Sequence, residues 1–178
     1  MYRMLKKILM TPLVAESERD IRGSEFEAVG AAVKERAKRV FGGSIAIREV
    51  AAGSSNAEEQ ELTALTNAYY DVERFGVHFV ASPRHADMLF VTGPVSRNMA
   101  DGVRHAYEAM PTPKWVVAVG DGAIDGGIYR DSYAVYNSVG DLIPVDFKIP
   151  GDPPSPLVIL KAILEMLDII DAHRPNKA

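Results

Sequence analysis

Six carboxylates stand in or beside glycine-containing loops of this chain. Glu58, Glu59 and Glu61 follow Gly53-Ser54-Ser55-Asn56-Ala57, Asp121 and Asp125 lie within the stretch from Gly120 to Gly127, and Asp152 follows Ile149-Pro150-Gly151. If a fold gathers them, they repel one another, so each must be solvated, protonated or paired with a cation. Three chemistries are open to such a group. In the leading, structural reading the acids are partly solvated or bridged to a partner, and neighbouring side chains fill the space between them. In a proton relay, burial at a subunit interface raises their affinity for protons. A hard cation such as Mg²⁺ or Ca²⁺ suits oxygen ligands, although the acids show no recognised ligand spacing.

Other chemistries are poorly supplied. The chain has no cysteine, which excludes disulfides and thiolate metal sites, and its four histidines, His78, His85, His105 and His173, lack zinc-type spacing. Arg84 and His85 follow Pro83 in a loop and read on composition as a surface hydrogen-bonding pair. Gly120-Asp121-Gly122 is only a fragment of a dinucleotide fingerprint, and no Walker loop or nucleophile elbow is present. Thr92-Gly93-Pro94-Val95-Ser96 offers amides and hydroxyls ahead of a helix, the basis for an alternative reading as a flavin- or nucleotide-binding module.

With 178 residues, 47% of them hydrophobic, the chain has the apolar content for one ordinary folded domain. A formal charge of −4 offers no broad basic surface, so nucleic acid is not an expected partner. No apolar run reaches the ~18 residues that a membrane span requires. Met1 to Met10 mixes basic and large apolar side chains before Thr11-Pro12, so residues 1–23 are expected to form a tail that lies on a membrane surface or docks on a partner. Residues 24–178 then form the single domain.

The elements that must position these acids alternate between strand and helix. Ser24-Glu25-Phe26-Glu27 has capping-box spacing and predicts a helix over 25–40. Ser44 to Val50 alternates as a strand, Glu58 to Leu65 reads as a short helix, and Val77 to Val80 as another strand. Ala86 to Thr92 is a nearly continuous apolar run, expected of a buried parallel strand. A helix is expected from near Arg97 to Pro111, then a strand at Trp115 to Val119 and a weaker edge strand at Ile143 to Phe147, where Pro144 cannot donate to a ladder. Leu157, Leu160, Ile163, Leu164, Leu167 and Ile170 mark a final helix. This alternation predicts a three-layer α/β domain with a mainly parallel sheet. In such sheets ligands sit beyond the carboxyl ends of the strands, so the loops at 53–59, 92–96, 120–127 and 150–154 should converge on one edge.

Four stretches in this order carry a resemblance: Gly53 to Glu59, Ser82-Pro83-Arg84-His85-Ala86-Asp87, Val119 to Ala123, and Ile149 to Pro154. Together with Tyr69 to Gly76, Val91 to Met99 and Gly126-Gly127-Ile128-Tyr129, they span Ile45 to Leu167. The sequence resembles the cluster-carrying small subunit (B, or 20 kDa) of respiratory complex I and of energy-converting membrane-bound NiFe hydrogenases of the formate-hydrogenlyase type. The resemblance implies a flavodoxin-like arrangement and a 4Fe–4S cluster held by four cysteines. Here the corresponding positions read Ser55, Glu58, Gly122 and Asp152. A serine, two carboxylates and a glycine do not replace four thiolates, and glycine has no side chain to coordinate anything. The expectation is a degenerate member without a cofactor of its own. It further implies a structural subunit on the cytoplasmic face of a membrane, between membrane subunits and a hydrogenase-large-subunit or complex I 49 kDa-like partner. Glu59, Glu61, Arg84, His85, Asp121 and Asp125 are then candidates for an interface or a proton relay.

Overall fold

The computed structural model describes residues 24–173, together with Met4, Lys6 and Met10. The expectation for the tail at 1–23 therefore falls outside the described residues except at those three positions, which are helical and exposed.

The chain runs α1 (Ser24–Phe41), β1 (Ile45–Ala51), α2 (Ala57–Leu65), β2 (Val77–Phe79), β3 (Met88–Thr92), β4 (Val95–Ser96), α3 (Ala100–Ala109), β5 (Trp115–Val119), α4 (Asp121–Asp125), β6 (Val135–Tyr136), β7 (Phe147–Ile149) and α5 (Pro156–Ala172). Short 3₁₀ turns at Val72–Phe75, Pro83–His85, Gly127–Tyr129 and Val139–Asp141 join them. Five strands form one parallel sheet in the order β2-β1-β3-β5-β7, while β4 and β6 pair antiparallel apart from it. Without that small ribbon the order is the flavodoxin-like 2-1-3-4-5.

Strand parity divides the core in two. Ile45 and Ile47 of β1, Met88 and Phe90 of β3, and Val117 and Val119 of β5 face α1, α2 and α5. Leu89, Val91, Val116 and Ala118 face the opposite way, onto Val103 of α3, Ala123 of α4 and Ile143. With helices on both faces, β3 is buried along its whole length, which is why its sequence lacks polar alternation. On α5, Ile159, Leu160, Ile163, Met166, Leu167 and Ile170 supply the buried stripe at helical spacing. Burial of these side chains is the main source of stability. The ion pairs across the exposed rim of α1 and α5, such as Arg39 with Asp171 at 3.1 Å, add little in high dielectric.

Three local expectations shift. Helix α1 includes Ser24, and Glu27 gives its carboxylate to Arg74 Nη2 at 2.5 Å. Arg74 also stacks over Phe75, 4.5 Å from the ring centroid. The helix expected near Arg97 begins three residues later, because the Arg97 amide donates to Ala134 O at 2.9 Å and a turn intervenes after β4. The edge strand starts at Phe147 rather than Ile143. Asp146 instead closes the start of β5, its Oδ2 accepting the Val116 amide at 2.7 Å while its own amide donates to Val116 O.

Candidate functional site

The loop leaving β1 turns through Asn56, whose left-handed backbone (φ 74°) a short polar side chain tolerates, and enters α2 with Glu58 and Glu59 in its first turn. The loop leaving β3 runs through Gly93 and Pro94. The one leaving β5 enters α4 at once, and the one leaving β7 carries Asp152. All four lie at the carboxyl ends of their strands, beside the point where strand order reverses between β1 and β3.

They enclose a cavity of about 60 Å³ whose wall includes Ser55, Glu58, Gly93, Gly122, Tyr129 and Asp152. The four positions at which the resemblance led us to expect cluster ligands thus line one space, although 97 residues of sequence separate Ser55 from Asp152 (152 minus 55).

Glu58 projects into this space with only 2% of its surface exposed, and its Oε2 has no hydrogen-bond partner. Burial pushes its carboxyl above the ordinary range, and repulsion from Glu59, Asp152 and Asp121 adds to the rise. Its own backbone amide opposes this, as expected at a helix start, but burial outweighs it. Glu59 is 9% exposed, and its Oε1 accepts hydrogen bonds from the hydroxyls of both Ser54 and Thr92. Thr92 shares strand parity with Met88 and Phe90, which aims its hydroxyl at the face that α2 covers.

Gly122 is held against backbone. A Cβ built there would lie 2.7 Å from Gly93 O, 2.8 Å from Gly93 C and 2.9 Å from Pro94 N, and one on Gly93 would lie 2.6 Å from both Cα and N of Ala123. The chain after β3 and the first turn of α4 therefore touch main chain to main chain, a contact only two glycines permit. Beside it, a Cβ on Gly120 would meet Glu58 Oε1 at 2.7 Å, so the Glu58 side chain occupies space that a larger residue at 120 would fill.

The residues present do not fit a 4Fe–4S cluster. No thiolate lines the cavity, Glu58 fills part of it, and position 122 has no room for a β-carbon. Among the described residues no group of three or more His, Cys, Asp or Glu is placed to hold a metal ion.

The remaining candidates scatter. Asp121 ties α4 to the loop leaving β7, its Oδ1 accepting the Gly151 amide at 2.9 Å while its own amide donates to Gly151 O. Asp125 is exposed, accepts the Gly127 amide at 3.0 Å and lies 3.7 Å from Arg130. Glu61 lies one turn along α2 and does not line the cavity. Arg84 and His85 are exposed in the turn that returns the chain to the start of β3 and pack beside α3, away from the cavity wall. The Thr92–Ser96 loop, the basis of the nucleotide alternative, is already engaged. The Thr92 hydroxyl serves Glu59, the Ser96 amide donates to Ala52 O at 2.7 Å, Val95 pairs with Tyr136, and two buried carboxyls stand where an anion would sit. Sequence reading missed Ser54, Thr92 and Glu49 as neighbours of the buried acids. The available signal was Thr92, a polar residue ending an otherwise apolar strand.

Residues 56–166 match the family described as NADH ubiquinone oxidoreductase, 20 kDa subunit. The chain belongs to that family. It is a degenerate member, with none of the four cluster cysteines. It is also similar to a chain in the structure of the membrane-bound sulfane sulfur reductase (MBS), an archaeal respiratory membrane complex, at 32% identity and a TM-score of 0.67, covering 82% of this chain and 77% of that one. A chain of the NAD⁺-reducing NiFe hydrogenase in its H₂-reduced state shares the fold at 18% identity and a TM-score of 0.55, covering 74% of this chain and 96% of that one. The family and the MBS neighbour indicate a subunit of a complex I-like or hydrogenase-like membrane-associated complex. Among the described residues no helix is long and apolar enough to cross a membrane.

Proposed function

We propose that this chain is a cluster-less structural subunit that bridges a hydrogenase-large-subunit or complex I 49 kDa-like partner and membrane subunits, peripherally on the cytoplasmic face. The observation that carries this reading is the state of the family's cluster site. Its four positions still converge, yet they present Ser55, Glu58, Gly122 and Asp152, and Gly122 is closed against Gly93. On this reading the fold remains while the electron-carrying group has lost its ligands, and the subunit serves through the surface it offers to partners. The loop on the wall of the cavity supports this, because it displays Ile128 at 85% and Tyr133 at 90% exposure, large apolar side chains suited to burial against another protein. Such an assembly couples its parts through conformation or through ion and proton movement, without a stepping stone for electrons in this subunit.

The test is gentle detergent extraction of the tagged protein from its native membrane, followed by mass spectrometry of what accompanies it. A large-subunit-like protein recovered together with membrane-embedded subunits supports the reading. Recovery as a lone soluble monomer, or an S = 1/2 cluster signal arising from this subunit after reduction, overturns it.

A further inference from the structure

The cavity at the carboxyl edge of the sheet is acidic and has no counter-charge of its own. Its wall carries Glu58 and Asp152 but no lysine, arginine or histidine. Glu58 is only 2% exposed, lines the cavity, and keeps a buried Oε2 without a hydrogen-bond partner. Burial disfavours its ionised form, and the nearby acids Glu59, Asp152 and Asp121 add to this. Arg130, the basic residue of the adjoining loop, is exposed and lies 3.7 Å from Asp125. An unserved buried carboxyl oxygen costs the isolated chain stability, and a cation delivered to it by another protein recovers that cost.

The mouth restricts which cation fits. Ile128 and Tyr129 stand on the wall at 85% and 48% exposure, an apolar rim beside an acidic floor. Lysine has the same division, with a methylene stem that packs on apolar surface and a compact ammonium of three donors at its end. A cavity of about 60 Å³ suits that ammonium better than the broad, planar guanidinium of arginine. A divalent ion has less claim, since among the described residues no three acids or histidines are placed to hold one.

We infer that a lysine of the protein covering this loop inserts its side chain into the cavity, the stem against Ile128 and Tyr129 and the ammonium donating to Glu58 Oε2. The Asp152 carboxylate and the Ser55 hydroxyl on the same wall are its further acceptors. The inference rests on the bridging role proposed above and names the contact by which one partner is held.

The test uses the detergent-extracted complex captured on the tagged chain. It is washed with propylammonium chloride, which mimics the end of a lysine, or with tetramethylammonium chloride, which has the same charge but no N–H donor. Mass spectrometry reads the partner that remains. Propylammonium should release it from the wild type at lower concentration than tetramethylammonium does. Glu58→Gln keeps the shape and removes the charge, so the partner should leave at least about tenfold faster and the preference between the two cations should vanish. Ser55→Arg, at an exposed position, fills the mouth with a cation of this chain's own; it should act alike and serves if the glutamine variant does not fold. Equal release by the two cations from the wild type, or variants that hold the partner as the wild type does, overturns the inference and leaves the bridging role standing. A wild-type chain that captures no partner overturns both.

Discussion

The contact between Gly93 and Gly122 makes a prediction whose sign depends on which of two effects wins. Gly122 lies in α4, and its backbone is outside the left-handed region, so Gly122→Ala brings the usual helix-propensity gain of about 0.5–1 kcal/mol. Against this, the new methyl would sit 2.7–2.9 Å from three backbone atoms of Gly93 and Pro94. Backbone cannot rotate away as a flexible side chain can, and overpacking of this kind costs about 1–3 kcal/mol. The clash should win, leaving a net loss of up to about 2.5 kcal/mol, or up to roughly 10 °C in Tm for a chain of this size. Gly93→Ala should behave alike, since its methyl meets Ala123 Cα and N at 2.6 Å. Exposed Gly102 in α3 is the control: its methyl would meet only Met99 Cε at 3.6 Å, so Gly102→Ala should raise stability by about 0.5–1 kcal/mol. Thermal and urea unfolding followed by circular dichroism measure all three. If Gly122→Ala melts at or above the wild type while Gly102→Ala behaves as expected, position 122 has room for a side chain, and the argument that it is closed to a cluster ligand fails.

Glu58 binds a proton more tightly folded than unfolded, so between the ordinary value of 4.5 and its higher folded value the native state holds a proton that the unfolded chain has lost. Its contribution to stability is complete below that window and falls as pH rises through it. The difference in unfolding free energy between wild type and Glu58→Gln, read from urea titrations at several pH values, should therefore fall with rising pH, and a flat or rising difference would refute the assignment. Thr92→Val removes one of the two hydroxyls that serve the buried Glu59 Oε1 and should cost about 1–3 kcal/mol in the same assay, whereas unchanged stability would mean that Glu59 finds another donor. Anaerobic incubation with iron and sulfide should give no stoichiometric cluster absorption, because no thiolate is present to hold one.

Much of the fold was legible in order and type. The uninterrupted apolar run into Thr92, the helical stripe of α5 and the alternation of strand with helix identified a parallel sheet covered on both faces, since burial on both sides removes polar alternation. What escaped were events set by a single side chain or a distant partner. Asp146 looked like part of a strand but spends its carboxylate on Val116, and Arg97 looked like a helix start but gives its amide to Ala134, across 37 residues of sequence (134 minus 97). Neither partner is visible in local periodicity.

The same division holds at the site. The sequence by itself determined that no thiolate chemistry exists in this chain, because that is a matter of composition, and its resemblance to the family raised the expectation that a serine, two acids and a glycine stand where ligands would be. Only the tertiary structure decided which acids matter. It buried Glu58 and Glu59 while leaving Asp121, Asp125 and Asp152 exposed, because α2 turns its first residues beneath the loops whereas the other acids lie on the loop surfaces. It also recruited Thr92, and it brought Gly93 against Gly122. Proximity across four loops is a property of how the strands are ordered, and local sequence does not encode the distance between residues that meet only when the sheet closes.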